Sequence, residues 1–105
     1  LWNNYIPANF KIILINNKGG GIFRFIPGPQ KTNALDYFET PHNLSAEHLC
    51  KMFNIQYHCA TNESELTRTI SNFYNDSKQP KLLEIVTPRT ENDNILKAYF
   101  NNLKV

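Results

Sequence analysis

The sequence predicts an α/β fold, a partial doubly wound parallel sheet. Ile12-Ile13-Leu14-Ile15 is an uninterrupted apolar run, the pattern of a strand covered on both faces. Leu82-Leu83-Glu84-Ile85-Val86 is a second such run, and residues 55–59 form a shorter one. The intervening segments carry apolar residues at helical spacing. Strands that alternate with helices imply parallel βαβ crossovers.

Taken in order, residues 1–9 read as the tail of a helix and a turn marked by Pro7, leading into the first strand. A parallel βα domain does not normally begin inside a crossover, so the chain is expected to be a piece of a larger protein. After the strand comes Asn16-Asn17-Lys18-Gly19-Gly20-Gly21, then the apolar and aromatic Ile22-Phe23-Arg24-Phe25-Ile26-Pro27. Pro27-Gly28-Pro29-Gln30 breaks regular structure. Residues 27–43 then form a long connection without helical period, expected to cover the strand end or to be a plain surface excursion.

Ser45 is expected to cap a helix whose buried face holds Ala46, Leu49, Cys50 and Phe53. Asn62 and Glu65 make an N-terminal capping pattern for a second helix, with Leu66, Ile70 and Phe73 on one face. That helix ends near residues 75–77, and Pro80 bars its continuation. Thr90, with Glu91 and Asp93 in the first turn, opens a last helix expected to bury Ile95, Leu96, Tyr99 and Leu103. There is no internal repeat and no low-complexity linker.

A length of 105 residues is that of one domain or part of one. Hydrophobic content of 41% suits a globular chain. The formal charge of +2 is small and its lysines are scattered, which argues against nucleic acid. No apolar run approaches the ~20 residues of a membrane helix, and the first residues lack the pattern of a secretory leader. Cys50 and Cys59 form neither a C-x-x-C pair nor part of a larger framework, so two reduced, packed thiols are expected. Asn43, Asn62 and Asn75 begin N-x-[ST] matches that an asparagine-rich chain makes by chance. A cytoplasmic location fits these features.

The chemistry concentrates after the first strand. In open α/β sheets ligands sit at the carboxyl ends of the strands, which is where the asparagine and glycine run lies. The glycines are expected to supply positive φ and to let main-chain groups approach a ligand closely. Side-chain amides beside bare backbone suit a hard cation or a phosphate, because hard cations prefer oxygen ligands. Gly19 and Gly21 begin a G-x-G-x-x-G pattern, but Arg24 occupies its third glycine position. Lys18 precedes the glycines, so the phosphate loop G-x-x-x-x-G-K-[ST] is absent. A flexible turn after a core strand is the plain alternative.

The run Asn16-Asn17-x-Gly-Gly-Gly-Ile-Phe resembles the closing half of the thiamine-diphosphate motif, which runs from Gly-Asp to a later Asn-Asn. With Arg24-Phe25-Ile26-Pro27 added, it resembles one branch closely: the 2-succinyl-5-enolpyruvyl-6-hydroxy-3-cyclohexene-1-carboxylate synthases of menaquinone biosynthesis. Phe38-Glu39-Thr40-Pro41-His42, and Met52 through His58 beyond the next helix, support the same resemblance. It covers nearly the whole chain, as the C-terminal part of the domain that binds the cofactor's diphosphate.

The resemblance implies thiamine diphosphate and one Mg2+ as cofactors. Carried onto this chain, the metal ligands are the Asn17 side chain and the Gly19 carbonyl, joined by an aspartate from the Gly-Asp half. Asn16 would hold the loop through hydrogen bonds. Gly19, Gly20 and Gly21 would pass close to the diphosphate, while Ile22, Phe23 and Ile26 match apolar positions that flank the thiazolium and the substrates. Phe25 is open to a core-packing reading. Arg24 departs from the small residue common at its position; it is expected to point to solvent, with a bidentate substrate-carboxylate contact as the alternative.

The intact enzyme is implied to decarboxylate 2-oxoglutarate and add the succinyl unit to isochorismate. The Gly-Asp half of the motif is not in this chain, and the family's activating glutamate belongs to another domain of a partner subunit. The implied assembly is therefore a homo-oligomer, and the segment alone is expected to be inactive. His42, His48 and His58 share no metal-ligand spacing; His42 alone keeps some site weight. Glu84, within an apolar strand, is expected to be a paired structural carboxylate. Two other classes stay open. One is a different thiamine enzyme, acetolactate-synthase-like or oxalyl-decarboxylase-like; the other is a non-catalytic α/β module that binds a phosphate compound or a protein.

Overall fold

The structure is a computed structural model that describes residue 1, residue 3 and residues 5–103. Three strands, β1 (Lys11–Asn16), β2 (Gln56–Ala60) and β3 (Lys81–Val86), form an all-parallel sheet in the order β1-β3-β2. The helices are α1 (Ile22–Phe25), α2 (Leu35–Glu39), α3 (Glu47–Met52), α4 (Glu63–Phe73) and α5 (Asn92–Asn102), with a 3-10 turn at Pro29–Lys31. The α/β reading of the sequence holds. No helix among the described residues is long and apolar enough to cross a membrane.

The chain divides into two compact units. The first, Leu1–Asn16 with Leu44–Val86, holds the sheet, α3 and α4. Alternation along β3 explains its two cores. Leu82 packs with Ala46, Cys50 and Ile55 on one face, and Leu83 with Ala60 and Phe73 on the other. Helices cover both faces of the central strand, which is why β3 has no polar alternation. Burial of a Leu or Phe of this kind contributes about 1.5–3 kcal/mol.

The central carboxylate of this unit is Glu84, buried on β3. It accepts from Tyr57 Oη at 2.6 Å, Asn16 Nδ2 at 2.5 Å, and Ser45 Oγ and the Ala46 amide at 3.1 Å each. Burial pushes its pKa up, but these donors outweigh burial and the net direction is down. Burial and the bond to Glu84 push the Tyr57 phenol up. The structural reading of Glu84 therefore stands, and the ladder of donors explains how an acid sits in an apolar strand.

Several sequence expectations need correction. β1 is an edge strand, and Ile13, Leu14 and Ile15 are exposed rather than covered on both faces. Only Ile12 of that run packs against a buried cluster. No helix tail appears among the described residues before β1, although the turn exists, closed by the Phe10 amide on the Pro7 carbonyl at 3.0 Å. Residues 2 and 4, part of that expected helix tail, lie outside the described residues.

Residues 27–43 are not one irregular connection, since they contain the 3-10 turn and α2. Leu49 is exposed, and Ser45 is not the residue flanking α3; its Oγ accepts the Glu47 amide from one position further out. Asn62 does cap α4, accepting the Glu65 amide at 2.9 Å, while Glu65 returns to the Thr61 amide instead of to Asn62. On that helix Phe73 is buried, but Ile70 is exposed.

Both cysteines are free; Cys50 is buried, but Cys59 is exposed, not packed. His58 lies edge-on to Phe73, and its Nε2 is buried without a partner among the described residues. Burial, then the charge of Lys81, holds its pKa down.

The second unit comprises Asn17–Asn43 with the residues from Thr87 onward, and so contains α1, α2 and α5. Ile95, Leu96, Tyr99 and Leu103 of α5 are all exposed, against expectation. The amphipathic spacing is present, and within this unit α5 packs against α1. Phe25 meets Phe100 at 6.1 Å between centroids, which makes that contact partly aromatic.

Candidate functional site

The site is built at the start of the second unit, where a turn runs from Asn17 into α1. Positive φ falls on Lys18 (62°), not on Gly19, Gly20 or Gly21 as the sequence suggests. Asn17 Oδ1 accepts the Gly19 amide at 3.3 Å, an Asx turn that makes the left-handed Lys18 tolerable. The glycines serve close approach instead. A Cβ on Gly21 would overlap Asn17 Nδ2, and one on Gly19 would stand 3.1 Å from both Cγ and the main-chain oxygen of Glu39. At Gly20 it would meet the Phe23 ring at 3.1 Å.

Glu39, at the end of α2, organises this turn. Its carbonyl accepts the Gly20 amide at 2.7 Å, and its side chain is fully buried. Arg24 of α1 grips the carboxylate bidentately, Nε on Oε1 at 2.8 Å and Nη2 on Oε2 at 2.7 Å. Arg89 takes the same two oxygens at 3.1 and 3.0 Å, and its Nη2 also reaches Asp36 at 2.7 Å. The bonds from Arg24 and then Arg89 outweigh burial and hold the Glu39 carboxyl at about 2. Arg24 is thus not the solvent-pointing residue expected from sequence.

A cleft of about 460 Å³ opens beside this pair, lined by Asn17, Gly21, Ile22, Arg24, Phe25 and Arg89, with α5 completing the wall. Lys97 Nζ fixes α5 to α1 by donating to the Arg24 carbonyl at 2.9 Å, and pairs with Asp93 at 3.1 Å. Of the residues expected at the site, Asn17, Gly21 and Ile22 share the cleft. Phe23 packs on Phe38 (5.7 Å between centroids). Ile26 closes α1, its amide on the Ile22 carbonyl, and neither it nor Phe23 lines the cleft.

Asn16 belongs to the sheet unit, where its amide serves Glu84 and the Leu44 carbonyl. The His42 amide donates to the Lys18 carbonyl at 3.0 Å, so its backbone anchors the turn.

Sequence reasoning missed Glu39 and Arg89. The available signal was Glu39 inside Phe38-Glu39-Thr40-Pro41-His42, a charged residue in a block otherwise read for resemblance alone. Thr40, its neighbour, has φ 45°, an outlier for a β-branched residue and a second mark of constraint there.

Comparison with known proteins finds close relatives of this segment. The chain is 51% identical over 99% of its length to the 2-succinyl-5-enolpyruvyl-6-hydroxy-3-cyclohexene-1-carboxylate synthase of Christiangramia forsetii. It is 54% identical over 98% to the synthase of that name in Flavobacterium johnsoniae, and 49% over 98% to that of Flavobacterium psychrophilum. The chain is similar to these synthases along almost its whole length. It spans 18% to 19% of the length of these relatives. No protein-family model matches it.

The Asn17 turn offers oxygen donors of the kind that could hold a metal. Asn17 Oδ1 and the Gly19 carbonyl are neutral oxygens close in sequence, and among the described residues the first is engaged only by a long bond from the Gly19 amide. No group of three or more His, Cys, Asp or Glu that suits a metal occurs among the described residues. Two neutral oxygens of this kind could serve a hard cation that takes few protein ligands and completes its shell from phosphate oxygens.

Proposed function

We propose that this chain, residues 1–105, is the C-terminal part of the diphosphate-binding domain of a thiamine-diphosphate- and Mg2+-dependent synthase. The intact enzyme decarboxylates 2-oxoglutarate and adds the succinyl unit to isochorismate in menaquinone biosynthesis, a carbon–carbon bond-forming transferase reaction. The observation that carries this is identity of about half the residues with synthases of that name across almost the whole chain. In this reading the protein is cytoplasmic and homo-oligomeric, and the segment alone is inactive.

The cofactor, when bound, supplies the carbanion chemistry; the chain binds and orients. Asn17 Oδ1 and the Gly19 carbonyl hold the Mg2+ that carries the diphosphate. Gly19, Gly20 and Gly21, with no side chains, leave the backbone free to pass close to the diphosphate. Ile22, exposed on α1, lends the dry wall that favours neutral intermediates. Phe23 and Ile26 are read with it as apolar positions that flank the thiazolium and the substrates. Asn16 ties the strand end through Glu84, and so fixes where the turn begins.

The test is turnover by the full-length product of the coding sequence that contains this segment. Consumption of 2-oxoglutarate and isochorismate that needs both thiamine diphosphate and Mg2+ is expected. Pyruvate or oxalyl-CoA turnover in its place would move the protein to another thiamine enzyme. A chain that binds neither cofactor would fit the non-catalytic phosphate-binding module.

A further inference from the structure

We infer that Glu39 is a positioning residue for the metal turn: its main-chain carbonyl, fixed by the Arg24 and Arg89 grip on its own carboxylate, aims the Gly19 carbonyl. The Gly20 amide donates to the Glu39 carbonyl at 2.7 Å. That N–H and the Gly19 C=O belong to one planar trans peptide unit and point in opposite directions. Holding the donor therefore directs the Gly19 oxygen away from Glu39. The Gly21 amide also donates to this oxygen, at 3.0 Å. A carbonyl oxygen has two lone pairs, so one stays available to a cation. Packing supports the same arrangement. A Cβ on Gly19 would stand 3.1 Å from both Cγ and the main-chain oxygen of Glu39, so Glu39 lies directly against Gly19 too.

Glu39 does this without being a ligand itself. Its side chain is fully buried, and Arg24 and Arg89 each bond both of its carboxylate oxygens. A carboxylate offers about four acceptor sites, and these N–H groups fill them. The side chain, immobilised in this way, leaves its own main chain little freedom at the end of α2. Thr40 follows at φ 45° and closes α2 with its amide on the Asp36 carbonyl at 3.0 Å. A β-branched residue keeps such a backbone only where its surroundings over-determine it. A carbonyl already aimed when the cation arrives binds it more tightly than one that must first be ordered. The inference rests on the metal reading proposed above and adds to it a residue outside the ligand set.

The test is titration calorimetry of the full-length protein with Mg2+, joined to hydrogen exchange read at the Gly20 amide. Glu39→Gln keeps the size of the side chain but loses the charge that holds two guanidinium groups. It should weaken Mg2+ binding about tenfold, the usual result of disturbing a residue behind a metal ligand. Phe73→Leu, in a buried cluster of the sheet unit, should also lower Tm yet leave Mg2+ affinity unchanged. In the metal-free wild type the Gly20 amide should exchange slowly, and Glu39→Gln should speed it.

Wild-type Mg2+ affinity in Glu39→Gln would overturn the proposal. Equal weakening in Phe73→Leu would overturn it as well, and mark a general loosening of the fold. Fast Gly20 exchange in the metal-free wild type would do the same, because the carbonyl would not be aimed beforehand. If Glu39→Gln does not fold, that wild-type exchange decides alone. Slow Gly20 exchange that Glu39→Gln speeds, in a protein that binds no Mg2+, would strike the metal reading and leave the hold on this peptide standing. Mg2+-dependent turnover that Glu39→Gln leaves unaltered would do the reverse.

Discussion

The main-chain oxygen of Glu39 accepts the Gly20 amide at 2.7 Å. The same residue holds Arg24 and Arg89 through its carboxylate, so one buried side chain and its own carbonyl set the turn and both cations together. A displacement of Glu39 is transmitted to every part of the site at once.

Acid should therefore loosen the second unit. The Glu39 carboxyl is held at about 2 against an ordinary 4.5, by Arg24 first and Arg89 second. A depressed folded pKa gives stability that is complete above 4.5 and is lost as pH falls toward 2. At about 1.4 kcal/mol per pH unit this contribution is about 3 kcal/mol. Urea unfolding of wild type and Glu39→Gln should differ by about 2–3 kcal/mol at neutral pH, and the gap should close as pH drops through that window. A gap that persists at the acid end contradicts the assignment.

Gly21→Ala separates site geometry from fold. Gly21 has φ −54° and ψ −20°, so alanine is acceptable to the backbone. Its Cβ collides only with the Asn17 side chain, which can swing away. Stability should change by less than about 1 kcal/mol, while Mg2+ affinity in the full-length protein falls at least about tenfold. Retained Mg2+ affinity, measured by titration calorimetry, would argue that Asn17 is not a ligand.

The adjacent asparagines should behave differently. Asn16→Ala removes a donor from buried Glu84 and is expected to cost about 1–2 kcal/mol in chemical denaturation, with Mg2+ affinity preserved. Asn17→Ala removes the Asx turn, so it should cost about 0.5–1.5 kcal/mol, and it should abolish saturable Mg2+ binding. The opposite pattern would exchange their roles.

Tyr57→Phe tests the sheet unit by itself. The phenol donates to Glu84 at 2.6 Å, a bond to a charged acceptor. Its loss should cost about 1.5–3 kcal/mol and raise the Glu84 pKa, so the variant should denature at a higher pH than wild type on acid titration. An unchanged acid limb would show that Ser45, Asn16 and the Ala46 amide suffice.

The strands were legible because a strand between two helical layers must be apolar on both sides, and Leu82 and Leu83 show that pattern directly. The α4 cap was legible because Asn62 and Glu65 act within one turn. The same argument failed for Ile13 and Ile15, since an apolar run reports what a strand is suited to, not whether a neighbour covers it. It failed for α5 for the same reason.

The local sequence by itself determined the alternation of strand and helix, the asparagine and glycine turn, and the family resemblance, because each depends on residues a few positions apart. Only the tertiary structure decided that Arg24 faces inward, that Asn16 serves the sheet and that Glu39 centres the site. Arg24 lies 15 residues from Glu39 and Arg89 lies 50. A contact across such separations leaves no periodicity or spacing in the chain, and it takes chain folding to bring one carboxylate between two guanidinium groups.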